Sequence, residues 1–86
     1  MPKIKVLDSE MSAEMQSEAL QVALLAVNMY VKNMDIADYI KKEFERRHES
    51  YWHCIIGNCA YSVTPKKNSY IKFSVDGERI VLFKSA

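Results

Sequence analysis

The spacing of apolar residues changes near Tyr51, and this change constrains the fold more than any other feature of the chain. Before Tyr51, apolar residues recur with the 3.6-residue period of helices. After it, they follow the two-residue period of strands, in four runs rich in aromatic and β-branched residues. These runs are YWHCII (51–56), CAYSVT (59–64), YIKFSV (70–75) and RIVLFK (79–84). A chain of 86 residues with this pattern is predicted to form a single domain, residues 1–86.

Two helices are predicted ahead of these strands. Ser12 suits the N-cap position of the first helix, which is expected to run to about Val31. Asn33 suits the N-cap of the second helix, in which apolar residues follow one another every fourth position. Those residues are Ile36, Ile40 and Phe44.

A short strand is predicted before the helices and a tight hairpin near the end of the chain. Lys3 to Leu7 alternates between charged and apolar residues, which is typical of a strand with one covered face. Asp76-Gly77 separates two of the apolar runs and favours a two-residue hairpin turn. The predicted order is therefore β-α-α-β-β-β-β. It indicates an α+β fold with two helices packed on one face of an antiparallel sheet.

The predicted strands are apolar on both faces, although two helices can cover only one. In the last strand, for example, Ile80 and Leu82 alternate with Val81 and Phe83. A lone chain is expected to leave much of the second set in water. Covering several hundred Å² of it stabilises by several kcal/mol, at about 25 cal/mol per Å² before association costs. The pattern therefore predicts a homodimer formed through the sheet.

Charge and hydropathy exclude several classes of partner. The chain has 12 basic and 11 acidic residues, which gives no strong case for nucleic acid. The longest uncharged stretch of the helical part, Ala19 to Val31, is too short and too polar for membrane insertion. The polar start, MPKIKVLDSE, predicts no secretory leader. The two cysteines are therefore expected to be free thiols in a reducing compartment.

The stretch with the most reactive residue types is predicted to be plain sheet. His53 and Cys54 are neighbours, and neighbours in a strand point to opposite faces. Cys54 and Cys59 match no zinc-module spacing, so neither a metal nor another cofactor is expected. We interpret the cysteines as small buried hydrophobes and the protein as non-enzymatic. A thiol-dependent enzyme that uses Cys54 or Cys59 is the alternative from the enzyme class.

Four segments of the chain resemble the dynein light chain family, the small dimeric hub type of cytoplasmic and axonemal dynein. They are MSAEMQ (11–16), DIADYIKKEF (35–44), WHCIIG (52–57) and LFKS (82–85). The resemblance implies a light chain of the microtubule motor dynein, in the cytoplasm and on the microtubule cytoskeleton, with an axoneme as the other location. It also implies a homodimer in which one strand crosses to the partner's sheet. The free edge of that strand then binds short linear segments of the dynein intermediate chain and of disordered client proteins by β-strand addition.

The resemblance assigns residues to a peptide-binding groove and to a dimer interface. The groove residues on the crossing strand are Cys59, Ala60, Tyr61, Ser62, Val63 and Thr64. Those at the start of the second helix are Asn33, Met34 and Asp35, and those on the groove floor are Tyr70, Lys72 and Ser74. The implied interface residues are His53, Tyr61, Ser62, Val63 and Ser85.

The chain departs from the family pattern within this groove. Lys72 and Ser74 stand where the family has aromatic residues, and Asn33 and Met34 stand where it has charged ones. The segment after Gly57 is one residue shorter than the family pattern, and Ala60 stands where the family has a glycine, so the register of Tyr61 and Ser62 can differ by one residue. Main-chain pairing is expected to survive, whereas the preference for a particular peptide sequence is not. A divergent dimerisation module that serves one dedicated partner is therefore the alternative function.

Overall fold

A computed structural model describes residues 2–58 and 60–86 and shows two helices packed on a four-stranded sheet. The elements are β1 (Ile4–Ser9), α1 (Ala13–Met29), α2 (Asn33–His48), β2 (Trp52–Ile56), β3 (Pro65–Val75) and β4 (Glu78–Ser85). The strands lie in the order β1-β3-β4-β2, and each neighbouring pair is antiparallel. The predicted α+β architecture is confirmed. Among the described residues, no helix has both the length and the apolar character needed to span a bilayer.

α1 begins where the sequence predicts. Ser12 is its N-cap, and the Ser12 hydroxyl accepts a hydrogen bond from the Met15 amide at 3.2 Å. This bond satisfies one of the amides that the first helical turn leaves without a partner. The helix ends at Met29, two residues before the predicted end, and its buried stripe consists of small residues. They are Ala19, Val22, Ala23 and Ala26.

α2 does not use the cap that we predicted. Asn33 is already helical, and Lys32 occupies the N-cap position without a side-chain hydrogen bond. The cap assignment was therefore wrong by one residue, because Asn33 has entered the first turn. The predicted apolar face is confirmed, since Ile36, Ile40 and Phe44 are all buried.

The helices cover one face of the sheet, here called the inner face. The β3 and β4 residues on this face are almost fully buried: Ile71, Phe73, Val75, Ile80 and Leu82. Trp52 of β2 joins them, and its ring lies 4.9 Å from that of Phe44 in an edge-on arrangement. The hairpin predicted at Asp76-Gly77 is present between β3 and β4, and both of its residues have positive φ.

The run 59–64, predicted to be a strand, is not part of the chain's own sheet. Residues 60–64 lie outside every strand, and Cys59 lies outside the described residues. β3 pairs with β1 and β4, and β2 pairs with β4, so none of the pairings among the described strands involves this segment. One main-chain bond, from the Ala86 amide to the Thr64 carbonyl at 3.3 Å, ties its end to the C-terminal strand.

The opposite face of the sheet, here called the outer face, is less exposed than predicted. We expected Val81 and Phe83 to lie in water, yet their exposed fractions are 2% and 7%. The reason is that β4 lies between β2 and β3, so neighbouring side chains cover it. Phe83, for example, lies between His53 and Tyr70, and the His53 ring is 5.3 Å from its own.

Candidate functional site

The free edge of β2 is the first element of the candidate site. β2 pairs with β4 on one side, and among the described strands none pairs with it on the other. An open edge presents main-chain N–H and C=O groups that can accept another strand. At the start of β2, the Trp52 amide donates to the Glu45 carboxylate at 3.3 Å. The rest of this edge is a template for strand pairing.

A groove runs between the β2 edge and the start of α2. It contains a cavity of about 230 Å³ whose lining residues are Asn33, Met34, Ala37, Cys54 and Ile56. Met34 is 72% exposed at this rim, which is unusual for a large apolar side chain. Two residues of the predicted groove, Asn33 and Met34, therefore lie beside the open edge.

A second cavity, of about 390 Å³, lies against the segment that leaves the sheet. It is lined by Asp8, Glu10, Tyr61, Ser62, Val63, Pro65 and Tyr70. The Tyr61 and Tyr70 hydroxyls lie 3.5 Å apart across it. Burial raises the pKa of Tyr70, and the hydrogen bond with Tyr61 and the nearby carboxylates raise it further. Tyr70 therefore stays protonated at neutral pH and can donate a hydrogen bond to a ligand.

The sequence analysis missed Asp8 and Glu10 as lining residues. Asp8 lies near the end of β1 and Glu10 directly after it, and the pairing of β1 with β3 shifts between Val6 and Asp8. A bulge of this kind redirects the side chains that follow it. The Glu10 amide also donates to the Tyr70 carbonyl at 2.8 Å, which holds this corner against β3. The sequence pattern that could have indicated them is a pair of acidic residues at the end of a short edge strand.

Comparison with known proteins identifies the family of this chain. The sequence model described as "Dynein light chain type 1" matches residues 3–85. A protein of Emericella nidulans named "Dynein light chain, cytoplasmic" is 42% identical over 85 residues, which cover 98% of this chain and 88% of that protein. The chain belongs to the dynein light chain family. A "Dynein light chain" of Schistosoma mansoni is 38% identical over 84 residues, covering 96% of this chain and 94% of the relative.

Solved structures agree with the family at the level of fold. The dynein light chain-like domain of the Fasciola hepatica calcium binding protein FhCaBP2 superposes with a TM-score of 0.77. That comparison covers 99% of this chain and 93% of the other, at 19% identity. The resemblance seen in the sequence is thus confirmed. As a dynein light chain, the protein is a component of a microtubule-associated motor and associates with the dynein complex.

One chain of this family member does not bring all the predicted groove residues together. Asn33 and Met34 lie at the β2 edge, whereas Tyr61, Ser62, Val63 and Tyr70 line the cavity of about 390 Å³. Ala60 and Thr64 are exposed, and Cys59 lies outside the described residues. The remaining groove residues lie apart from both cavity linings. Lys72 and Ser74 are half-buried on the outer face, and Asp35 lines a different cavity on α2.

Two residues of the predicted interface lie on β2 and β4. His53 is exposed on the outer face beside Phe83. Ser85 is half-buried, and its hydroxyl lies 3.5 Å from the Tyr51 carbonyl. A second chain placed against the outer face would contact His53.

The chemistry of Cys54 does not suit a nucleophile. Burial raises the pKa of this thiol to about 12, with a smaller contribution from the negative charge of Asp38. Because the thiolate is the reactive form, a thiol with this pKa is inert at neutral pH. Within the described residues, no group of three or more His, Cys, Asp and Glu side chains is placed to hold a metal ion.

Proposed function

We propose that this dynein light chain is a non-enzymatic homodimeric hub that binds short linear segments by β-strand addition. Its partners would be the dynein intermediate chain and other disordered proteins. One observation carries the proposal. The β2 edge is open beside α2, while residues 60–64 of the same chain lie outside the sheet.

An exchange of residues 60–64 between two chains accounts for both features. Each segment would pair with the β2 edge of the other chain, so the unpaired main-chain groups of both would be satisfied. The interface would be the same on both chains, as two-fold symmetry requires. This exchange would also bring together the two groups of predicted groove residues that one chain keeps apart. Asn33 and Met34 of one chain would then lie opposite Tyr61, Ser62 and Val63 of its partner.

The far edge of the exchanged segment would receive the client peptide. Main-chain hydrogen bonds supply affinity in this binding mode, and pockets for alternate side chains supply selectivity. Tyr61 lies on the exchanged segment and would carry its hydroxyl group to this site, away from Tyr70 of its own chain. Two such grooves in one dimer would bind two chains, so part of the strength would come from bivalency.

The chemistry of the chain supports a binding role over catalysis. The raised pKa of Cys54 argues against the thiol-dependent enzyme considered above. Cys59, the other candidate for that role, lies outside the described residues. The relative named as cytoplasmic supports a location in the cytoplasm on the microtubule-bound motor.

A second candidate function is a dimerisation module for one dedicated partner. It is favoured by Lys72 and Ser74, which place polar groups on the outer face next to Tyr70. A peptide array that tiles the dynein intermediate chain and unrelated disordered proteins separates the two candidates. A hub binds many sequences, whereas a dedicated module binds one class.

Two proline substitutions in the exchanged segment test the leading proposal. Adjacent amides in a strand point to opposite sides, and proline removes the amide hydrogen. Ser62→Pro and Val63→Pro should therefore have different effects. One should give a folded monomer, and the other should leave a dimer that no longer binds peptide. Sedimentation measures the mass, and calorimetry with an intermediate-chain peptide measures binding. The result also establishes the strand register.

Ser62→Ala and Val63→Ala are the matched controls, because each shortens the same side chain and keeps the amide. Both should remain dimeric and bind one peptide per chain. The proposal fails if the unmodified protein is a monomer at micromolar concentration. It also fails if neither proline changes mass or binding.

A further inference from the structure

A third cavity lies on the solvent side of α2, and the proposed function does not use it. Its volume is about 330 Å³, and its lining residues are Tyr30, Asp35, Asp38, Tyr39, Lys42, Glu43 and Arg46. We propose that this cavity binds a cationic side chain of a protein partner, an arginine or a lysine in its plain or methylated form. This inference goes beyond the proposed function, since it requires neither the dimer nor the groove.

Two tyrosine rings provide the first argument. The centroids of Tyr30 and Tyr39 lie 6.0 Å apart, with their planes inclined at 50°. A cation is attracted to an aromatic face when it lies within about 6 Å of the ring centroid. Because the rings are this close and inclined, one cation can lie within that distance of both. Tyr30 is 39% exposed, so a ligand can reach its ring from solvent.

The carboxylates in the cavity provide the second argument. Among the described residues, neither Asp35 nor Asp38 takes part in an ion pair. The third carboxylate is already engaged, because Glu43 accepts hydrogen bonds from both Arg46 and Arg47. The hydrogen bond from Arg46 lowers the pKa of Glu43, with desolvation opposing and Arg47 adding to the effect. Asp35 and Asp38 are therefore the carboxylates that remain for an incoming cation.

Lys42 is the internal competitor for the same carboxylates. It lines the cavity and is four residues after Asp38, yet it forms no ion pair with any described residue. Its positive charge opposes the binding of a second cation. Removing that charge should therefore strengthen binding, which is a result that a merely structural lysine would not produce.

The volume and the lining favour an organic cation at the end of a flexible chain. About 330 Å³ is enough for a guanidinium or a methylated ammonium group together with part of its aliphatic chain. Aromatic rings recognise such weakly hydrated cations well, whereas metal ions prefer convergent oxygen ligands. A protein segment with an exposed basic side chain fits this description.

The test is a titration of the full chain followed by amide NMR. The probes are four capped tripeptides, Gly-Xaa-Gly, in which Xaa is arginine, lysine, trimethyl-lysine or citrulline. Citrulline has nearly the shape of arginine without its charge. The cationic probes should shift the amides of Tyr30, Asp35, Asp38 and Tyr39, and citrulline should not. The relative affinities of the three cationic probes identify the preferred form.

Variants with matched controls locate the binding. Tyr30→Leu should weaken binding of the preferred cation about two- to five-fold, the worth of an exposed cation–π contact. Tyr51→Leu removes an exposed ring outside the cavity and should change nothing. Asp38→Asn should weaken binding, whereas Glu14→Gln, which removes a negative charge from α1, should not. Lys42→Gln should strengthen it.

Two outcomes would overturn the inference. One is equal binding of citrulline and arginine, and the other is equal affinity of the Tyr30→Leu and Tyr51→Leu proteins. Neither depends on dimerisation, so the cation site can fail while the peptide hub stands, and the reverse also holds. Tyr39 is partly buried against the core, and Tyr30→Leu is chosen for that reason as the variant that leaves folding intact.

Discussion

The two faces of the sheet differ in how completely one chain covers them. On the inner face, Ile71 and Phe73 have no exposed surface, because the helices lie directly over them. On the outer face, Phe83 is nearly as buried, yet its neighbour His53 is exposed and Lys72 is half-buried. One chain thus seals the centre of the outer face and leaves its flanks open. The difference indicates that the inner face forms the hydrophobic core of the chain and that the outer face is available for association.

A pair of phenylalanine substitutions should separate the two faces most strongly. Phe73→Ala removes an inner-face ring and should lower the free energy of unfolding by about 3–5 kcal/mol. This loss should not depend on protein concentration. Phe83→Ala removes an outer-face ring, so part of its cost should appear as weaker association.

Urea unfolding at several protein concentrations measures both effects. The midpoint of the unmodified protein and of Phe73→Ala should rise with concentration, because both keep the outer face through which the proposed dimer would form. The midpoint of Phe83→Ala should rise less. Equal concentration dependence in all three proteins would contradict an associating role for the outer face.

The reactivity of Cys54 tests whether the inner face is sealed as far as the edge strand. The pKa of this thiol is raised from 9.0 to about 12, so its thiolate fraction at pH 8 should fall about a thousand-fold. Alkylation by iodoacetamide should be correspondingly slow, and peptide mapping by mass spectrometry assigns it to Cys54. The rate should return to that of a free thiol in denaturant. Rapid alkylation of the folded protein would show that the edge is open on its inner side.

The smallest effect should come from the helix layer above the inner face. Glu18 of α1 contacts Arg47 and His48 of α2, each at 2.9 Å. Burial raises the pKa of Glu18, but the hydrogen bonds from Arg47 and His48 outweigh it and lower the pKa below 4.5. The folded state therefore gains stability that is complete above about pH 4.5. That stability is lost as the pH falls through the lowered folded-state pKa.

Because these groups are partly exposed, the contribution should be only about 0.5 kcal/mol. Glu18→Gln should remove it at pH 7 and reduce the pH dependence of unfolding between pH 5 and 3. Glu14→Gln, on the exposed start of the same helix, is the matched control, because it makes the same chemical change and leaves the Glu18 contacts with Arg47 and His48 in place. The contacts of Glu18 with Arg47 and His48 would not contribute to stability if both variants showed the same pH dependence of unfolding.

The local signals in the sequence predicted most of the fold. The Ser12 cap, the Ile36-Ile40-Phe44 face and the Asp76-Gly77 turn are each determined by residues close together in the chain. The prediction of Asn33 as the N-cap of α2 was wrong by one position, because the cap is its neighbour Lys32 and this stretch contains several polar residues that could cap the helix. Boundaries of this kind depend on packing that a local pattern does not contain.

The candidate site was less predictable because it depends on how distant segments meet. Residues 60–64 have a strand pattern, but a local pattern does not show where they pair, and none of the described strands includes them. The burial of Phe83 likewise follows from its position between His53 and Tyr70. Asp8 and Glu10 could not be predicted to line a cavity, because their placement depends on the shift in pairing near the end of β1. The groove assignments came from the family resemblance, and their assembly across two chains stays a prediction.

The hydrogen bonds between the start of β1 and the β3–β4 hairpin also have a consequence for biosynthesis. The Lys3 amide donates to the Asp76 side chain at 2.7 Å, and the Asp76 amide donates to the Lys3 carbonyl at 2.8 Å. β1 pairs with β3, so its partner is translated long after β1 has left the ribosome. The native sheet therefore cannot close around β1 until β3 has emerged. Until then, the apolar side chains that β1 and β3 cover together stay exposed, which favours aggregation of the nascent chain.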